Sequence, residues 1–365
     1  MSRVAVLGGG VIGLSVAWGL ARRGTEVVLV DLPLPGASSP VAAGMISAAA
    51  ELDYGETELW QVTSRSQAQW PEFAAELAQA SGRPVGLRPT GTLLVATDQD
   101  EQVRLDRRLK LLADAGVGAQ RLERRELLRK EPALARTVRG AAWLPDDFCV
   151  DRSLVLDALR SAIASAGVRT IRAQGRVRMQ DGRATGITLP DLSVDADHVV
   201  LCAGWRSPHA LDDPVAERAG APMSGLRPVK GELLDLELAA PAVTSTVRAV
   251  VDRVPVYLVP HDDTHLTVGA TSVDVGADLA PTVRAALELL SAATTLVPEL
   301  RDARITEHRV GLRPASSDNL PAIGISPMPG LTLATGHYRH GFLLAPLTSD
   351  VVADSVRAAL TEGDS

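Results

Sequence analysis

The chain has 365 residues, 46% hydrophobic and 22% charged, with a formal net charge of −7. That length accommodates two domains of ordinary size and a substantial core. The acidic balance excludes a nucleic-acid or anionic-membrane surface as the expected partner, and no apolar run is long enough to span a bilayer. Val4 to Leu7 is a short, wholly apolar run, as expected of a central strand in a parallel sheet covered on both faces. Gly8-Gly9-Gly10-Val11-Ile12-Gly13 follows at once, a helical apolar pattern runs from Leu14 to Arg23, and Gly24 stops it. Glu26 to Val30 reads as a second buried strand ending in Asp31. The stretch from Val4 to Leu20 has no basic segment before it beyond Arg3 and is broken by three glycines, so it reads as strand, turn and helix rather than as a secretory leader.

A lone GxGxxG is weak, but here it lies between strand and helix, with an acid eighteen positions after its last glycine. That is the context of a dinucleotide-binding unit. Gly8 permits the tight turn, Gly10 lets the backbone approach a pyrophosphate, and Gly13 lets helix and strand pack closely. The helix start at Val11 and Ile12 offers free N–H groups and a positive dipole end to phosphate. Asp31, followed by Leu32, is placed to accept from ribose hydroxyls and disfavours a 2′-phosphate, hence NADP. These residues alone do not separate FAD from NAD. The small, turn-forming segment Ser38-Ser39-Pro40-Val41-Ala42-Ala43-Gly44-Met45 permits close approach to a bulky cofactor, though an ordinary loop has the same composition.

Helices are expected near Glu56 to Ala80, Glu101 to Ala115, Ser153 to Ala166 and Thr282 to Thr295. Strands are expected at Thr92 to Ala96, Gly231 to Leu238, Val256 to Val259 and Leu266 to Val268, as a mixed or antiparallel sheet inserted into the cofactor domain. His198 to Leu201 is a further apolar strand that rejoins the first sheet. Arg121, Arg124, Arg125 and Arg129 are interleaved with Glu123 and Glu126, the pattern of a solvated helix face. The two cysteines, Cys149 and Cys202, have no partners at metal-ligand spacing; a disulfide between them is left open, and the reducing cytoplasm is the default compartment.

Near the C-terminus, Gly311-Leu312-Arg313-Pro314 places Arg313 in a constrained turn, with the proline restricting it to extended conformations. Leu331 to Ala334 is a strand, Gly336-His337-Tyr338-Arg339-His340-Gly341 a glycine-bounded turn, and about Pro346 to Leu360 a helix. A glycine-rich turn before a helix presents a positive end to an anionic group.

Together these motifs resemble the D-amino-acid-oxidase superfamily, and within it the glycine oxidase of thiamin biosynthesis and its sarcosine-oxidase relatives. The resemblance rests on GGGVIG with Asp31, Ala-Ala-Gly-Met at 42 to 45, Val229-Lys230-Gly231-Glu232, Tyr257-Leu258-Val259-Pro260, Val268-Gly269-Ala270-Thr271, GLRP at 311 to 314 and GHYRHGFLLAP from Gly336 to Pro346. It implies an α/β fold: a Rossmann-like, glutathione-reductase-like FAD-binding domain (1–85, 150–220 and 305–365) with an inserted substrate-binding sheet domain (86–149 and 221–304). It implies noncovalent FAD on Gly8, Gly10 to Gly13, Asp31, Leu32, Ser38, Ser39, Ala43 to Met45 and Gly336 to Leu343, the last stretch including Phe342; no cysteine follows Cys202 to attach it. Tyr257, Arg313 and Arg339 match the residues that hold the substrate carboxylate in the family.

Two departures flank that pocket: Pro255 stands where the glycine oxidase pattern has His, and Ser272 where it has Met. Glycine as preferred substrate is thereby in doubt. The implied reaction passes a hydride from the substrate Cα–H to flavin N5, yields an imino acid that hydrolyses to an oxo acid and ammonia, and reduces O₂ to peroxide. A dehydrogenase using a quinone or carrier, an NAD-linked enzyme and a noncatalytic nucleotide-binding module are the alternatives, and homo-oligomerisation is left open.

Overall fold

A computed structural model describes residues 2–363. Its first strand, Arg3–Leu7, is buried from Val4 onward because both faces of its sheet are covered. The parallel strands Arg169–Ile171, Glu26–Val30, Arg3–Leu7, His198–Leu201 and Leu331–Thr335 lie side by side in that order, and Ala322–Ile325 adds an antiparallel edge. The helices Val11–Ala21, Thr57–Ser81, Arg152–Ser165 and Ala345–Gly363 pack on one face. A three-stranded antiparallel sheet, Arg176–Gln180, Arg183–Thr188 and Ser193–Asp195, covers the other.

Three helix starts are set by side-chain caps rather than by apolar spacing. Asp98 accepts from the Glu101 N–H, Asp151 from the Ser153 and Leu154 N–H groups, and Thr282 from that of Ala285. The helices accordingly run Gln99–Asp114, Arg152–Ser165 and Val283–Leu296, each within two residues of its expected start.

The second sheet has eight strands, in the order Arg304–Ala315, Arg227–Glu237, His265–Gly269, Val254–Pro260, Thr246–Val251, Thr92–Ala96, Gly140–Leu144 and Gln120–Glu123. It is antiparallel except where Thr92–Ala96 meets Thr246–Val251. One face, carrying Leu93, Val95, Val247, Leu258 and Val268, packs on the helix Val283–Leu296. Side chains alternate along a strand, so Leu94, Arg248 and Tyr257 point to the opposite face. Asp252 and Arg253 both take positive φ, at 49° and 69°, and form a two-residue hairpin turn that fixes Arg248 opposite Tyr257.

The expectation of a constrained turn at GLRP is corrected. Gly311 to Pro314 lie inside the twelve-residue strand Arg304–Ala315, which pairs along its length with Arg227–Glu237. This ladder overrides the local breakers; Pro314 faces Pro228, in a pair that needs no N–H from either. The extended backbone expected before proline holds at Arg313. Residues 305–315, expected with the cofactor domain, are hydrogen-bonded into the eight-stranded sheet.

Candidate active site

A slot of about 250 Å³ opens at the C-terminal ends of the parallel strands, lined by Gly8 to Ile12, Asp31, Leu32, Ser38 and Ser39, and across from them by Gly204, Thr335 and His337. The glycines have different reasons. A Cβ on Gly13 would lie 1.8 Å from the Gly8 carbonyl oxygen, and one on Gly8, whose φ is +108°, 2.5 Å from that of Cys202; both contacts are backbone on backbone. A Cβ on Gly10 would meet only Ser39 Oγ, at 3.0 Å, which leaves the open side of Gly10 to the slot. The Gly9 N–H donates to Asp31 Oδ1 at 2.8 Å, and a Cβ there would strike that carboxylate. The first four N–H groups of a helix lack intrahelical partners; that of Val11 donates to Ser39 Oγ at 3.0 Å.

Val11, Ser38, Ser39, Tyr338 and Gly341 line both this slot and a second cavity of about 650 Å³, so the two form one elongated space with Asp31 at one end. The loop between them is pinned from both sides, by the strand Arg304–Ala315 and by the helix Arg152–Ser165. Arg309, itself bonded to Asp235 Oδ1 at 2.5 Å, donates to the Val41 carbonyl at 2.6 Å, and Arg152 donates to that of Pro40 at 2.8 Å.

Tyr257 and Arg313 meet in the second cavity through two glycines. Gly269 pairs directly with Tyr257, and a Cβ on it would lie 2.4 Å from the phenol ring; a Cβ on Gly231 would lie 2.5 Å from the Arg313 guanidinium. These absent side chains let the phenol and the guanidinium lie flat on adjacent strands. Arg313 donates to the Thr271 carbonyl at 2.9 Å, and among the described residues no ion pair engages it. Burial pushes the Tyr257 phenol up, against the pull of Arg313, so it keeps its proton as a donor.

Arg339 lies apart from that pair in its bonding. Its Nε is 2.7 Å from Glu51 Oε2, and Arg248 holds the other oxygen of the same carboxylate. Burial raises the Glu51 carboxyl, but Arg248, Arg339 and His340 outweigh it and hold the group well below the usual carboxylate range. Ser272 bonds the Tyr338 hydroxyl at 3.0 Å, and Pro255 lines the cavity two residues before Tyr257.

Of the remaining expected cofactor residues, Ala43, Gly44, Met45 and Phe342 line the larger cavity. Gly336 makes a left-handed turn, at φ +75°. His340 and Leu343 are buried outside both linings; the Leu343 carbonyl accepts from Ser66 and from Trp70. Sequence reasoning missed Arg248, Glu51 and Arg108. The signal for Arg248 was the hairpin register, which a two-residue turn at Asp252-Arg253 would have given. Glu51 and Arg108 carry no local signal.

The residues fit a flavin dinucleotide: Gly8 and Gly13, where a Cβ would strike backbone, Gly10 open to the slot, a carboxylate at one end, and a slot that runs on into a wider chamber fit for a ring system. Cys149 and Cys202 are free and buried, and among the described residues no His, Cys, Asp or Glu cluster suits a metal. No helix among them is long and apolar enough to cross a membrane.

Comparison with known proteins agrees. The chain is 33% identical over 373 residues to the glycine oxidase of Geobacillus kaustophilus, covering 99% of this chain and 94% of that one. It is 32% identical over 357 residues to the bifunctional protein ThiO/ThiG of Trichormus variabilis, where it covers 97% of itself but 52% of the relative, so it spans about half the length of such bifunctional proteins. The crystal structure of glycine oxidase from Bacillus cereus superposes with a TM-score of 0.88 at 27% identity, over 98% of each chain. The model of the FAD dependent oxidoreductase family (DAO) matches residues 3–355, and the chain belongs to that family of α/β flavoenzymes.

Proposed function

We propose that this chain is an FAD-dependent oxidase of small amino acids. The observation that carries the reading is the placement of Arg313 and Tyr257 side by side in a chamber continuous with the dinucleotide slot. FAD held noncovalently along Gly8–Ile12, Asp31, Ser38 and Ser39 supplies the two-electron acceptor for the substrate Cα–H and a route for those electrons to O₂. The protein's share is orientation. Arg313 offers a forked donor to a planar α-carboxylate, and its own bond to the Thr271 carbonyl fixes the fork. Tyr257 donates its retained phenol proton to the same carboxylate. Arg339 acts through Glu51, which anchors the Gly336–Gly341 turn against Arg248.

We take residues 1–85, 150–220 and the C-terminal segment as the cofactor domain and 86–149 with 221–304 as the substrate domain. The ladder to Arg227–Glu237 carries the latter on to residue 315. Likeness to the ThiO of Rhizobium etli, named as a thiamine biosynthesis oxidoreductase, supports a place in thiamin biosynthesis for this chain. The two reduced cysteines fit a cytoplasmic protein.

The experiment is anaerobic addition of glycine, sarcosine and small D-amino acids to the purified yellow protein. Bleaching of the flavin band by at least one of them, followed by peroxide formation on admitting O₂, is expected. A flavin that stays oxidised across the panel overturns the reading.

A further inference from the structure

The larger cavity is opposite in sign to the chain. The protein carries a formal charge of −7, yet six arginines line this cavity against three carboxylates, leaving three positive charges in excess. Arg313 accounts for one of them, and a substrate α-carboxylate neutralises it. The others have no such partner in a monocarboxylic substrate.

Arg248 is the central one. It sits directly across the hairpin from Tyr257, so the phenol lies between Arg313 on one side and Arg248 on the other. Glu51 is shared between Arg248 and Arg339, one carboxylate for two guanidiniums. A guanidinium has five N–H donors, and a bond to Glu51 leaves several unused. Arg248 is 23% exposed in its side chain, and it lines the cavity. Beyond it Arg108 gives its Nη2 to the Ala50 carbonyl, with its nearest acid, Asp53, 4.0 Å away. Arg107 is exposed on the rim of the same cavity. Uncompensated charge in a partly desolvated cavity costs stability unless a counter-charge enters.

Resting on the oxidase reading, we propose that the preferred substrate is an amino acid carrying a second anionic group, with Arg248 anchoring that group while Arg313 and Tyr257 hold the α-carboxylate. The two anions straddle Tyr257, which places the Cα–H between two fixed points instead of one. The rim arginines raise the local concentration of such a dianion and make its capture salt-dependent.

The test uses the flavin-loaded enzyme and isosteric pairs that differ only in charge. D-Aspartate is compared with D-asparagine, and D-glutamate with D-glutamine, by kcat/KM. Binding without turnover is read by titrating the oxidised flavin band with diglycolate and with methoxyacetate. A dianion advantage of about ten- to a hundredfold is expected in both measurements, shrinking as salt rises. Arg248→Gln should abolish that advantage, bringing diglycolate and methoxyacetate affinities within about threefold of each other. Should Arg248→Gln fail to retain flavin, Arg248→Lys, which keeps the charge but not the fork, is expected to lose most of it.

Equal values within each pair for the wild-type enzyme overturn the proposal, as does an undiminished dianion advantage in a flavin-loaded Arg248 variant. An excess charge that serves only reduced flavin leaves the oxidised-enzyme titrations equal, which is the same negative result. If glycine bleaches the flavin and methoxyacetate binds but dianions gain nothing, this inference alone fails. If no amino acid bleaches it and no carboxylate perturbs it, the oxidase reading fails as well.

Discussion

The dinucleotide slot is built mainly from main chain, whereas the cavity beyond it is built mainly from side chains. In the slot, Gly8, Gly9, Gly10 and the start of one helix do the shaping, all within six residues of each other, and Asp31 bonds back to Gly9. In the cavity, Glu51, Arg108, Arg248, Tyr257, Arg313 and Arg339 come from six separate segments. The difference teaches where each half is fragile. A site made of backbone fails when an atom is added, and one made of side chains fails when an atom is removed or turned.

Additions to the slot should have the largest effects. Gly13→Ala puts a methyl 1.8 Å from a backbone carbonyl that cannot move aside, and should cost about 3 kcal/mol or more. At Gly10 an added Cβ meets only Ser39, so the Gly10→Val apoprotein should fold with nearly the wild-type Tm yet purify colourless. Thermal unfolding read beside flavin content separates the two. A yellow Gly10→Val protein would break the comparison.

Removal in the cavity comes next. Arg313→Ala should keep fold and flavin but lower kcat/KM by about a hundredfold, and Arg313→Lys by about tenfold, since ammonium keeps charge without the fork. Titration of flavin absorbance with glycolate measures the binding part. Unchanged glycolate affinity in a flavin-loaded Arg313→Ala protein would move the anchor elsewhere.

Acid should distinguish the regions too. His198 and His337 are buried, each 3.0 Å or less from a threonine hydroxyl, and burial lowers them to about 4 and about 3. Neutral imidazole therefore supports the fold fully above pH 6.5, and that support drains as pH falls toward 4, because the unfolded chain takes up protons first. Each should contribute on the order of 2–3 kcal/mol over that window. Glu51 is lowered as well, by its cationic neighbours rather than by burial: its contribution is present above about pH 4.5 and is lost only as pH falls below that. Stability measured from pH 7 to pH 4 should fall steeply in the wild type and less in His198→Gln. The destabilisation caused by Glu51→Gln should stay constant down to about pH 5.

The smallest effect sharpens the comparison by adding an atom to the cavity. Gly231→Ala brings a methyl to 2.5 Å from the Arg313 guanidinium, a flexible end that can swing away. Stability should change by less than about 1 kcal/mol while glycolate affinity drops about tenfold.

The sequence by itself determined the dinucleotide unit, because its determinants are local: a turn, a helix start and an acid at fixed spacing need no distant partner to be legible. It also located Tyr257 and Arg313, since both lie in short runs that resemble a family pattern. GLRP reads locally as a turn, and only the ladder to Arg227–Glu237 made it a strand. Arg339, which lines the larger cavity, was singled out in the sequence, but its attachment to Glu51 was not legible there, because 288 positions of chain separate them and no spacing rule connects a turn to the end of a distant helix. Arg248 came into the cavity through strand register, where one residue of slip would have sent it to the opposite face. The tertiary structure alone decided which charges share the cavity, for charge clusters form by long-range packing and leave no period in the sequence.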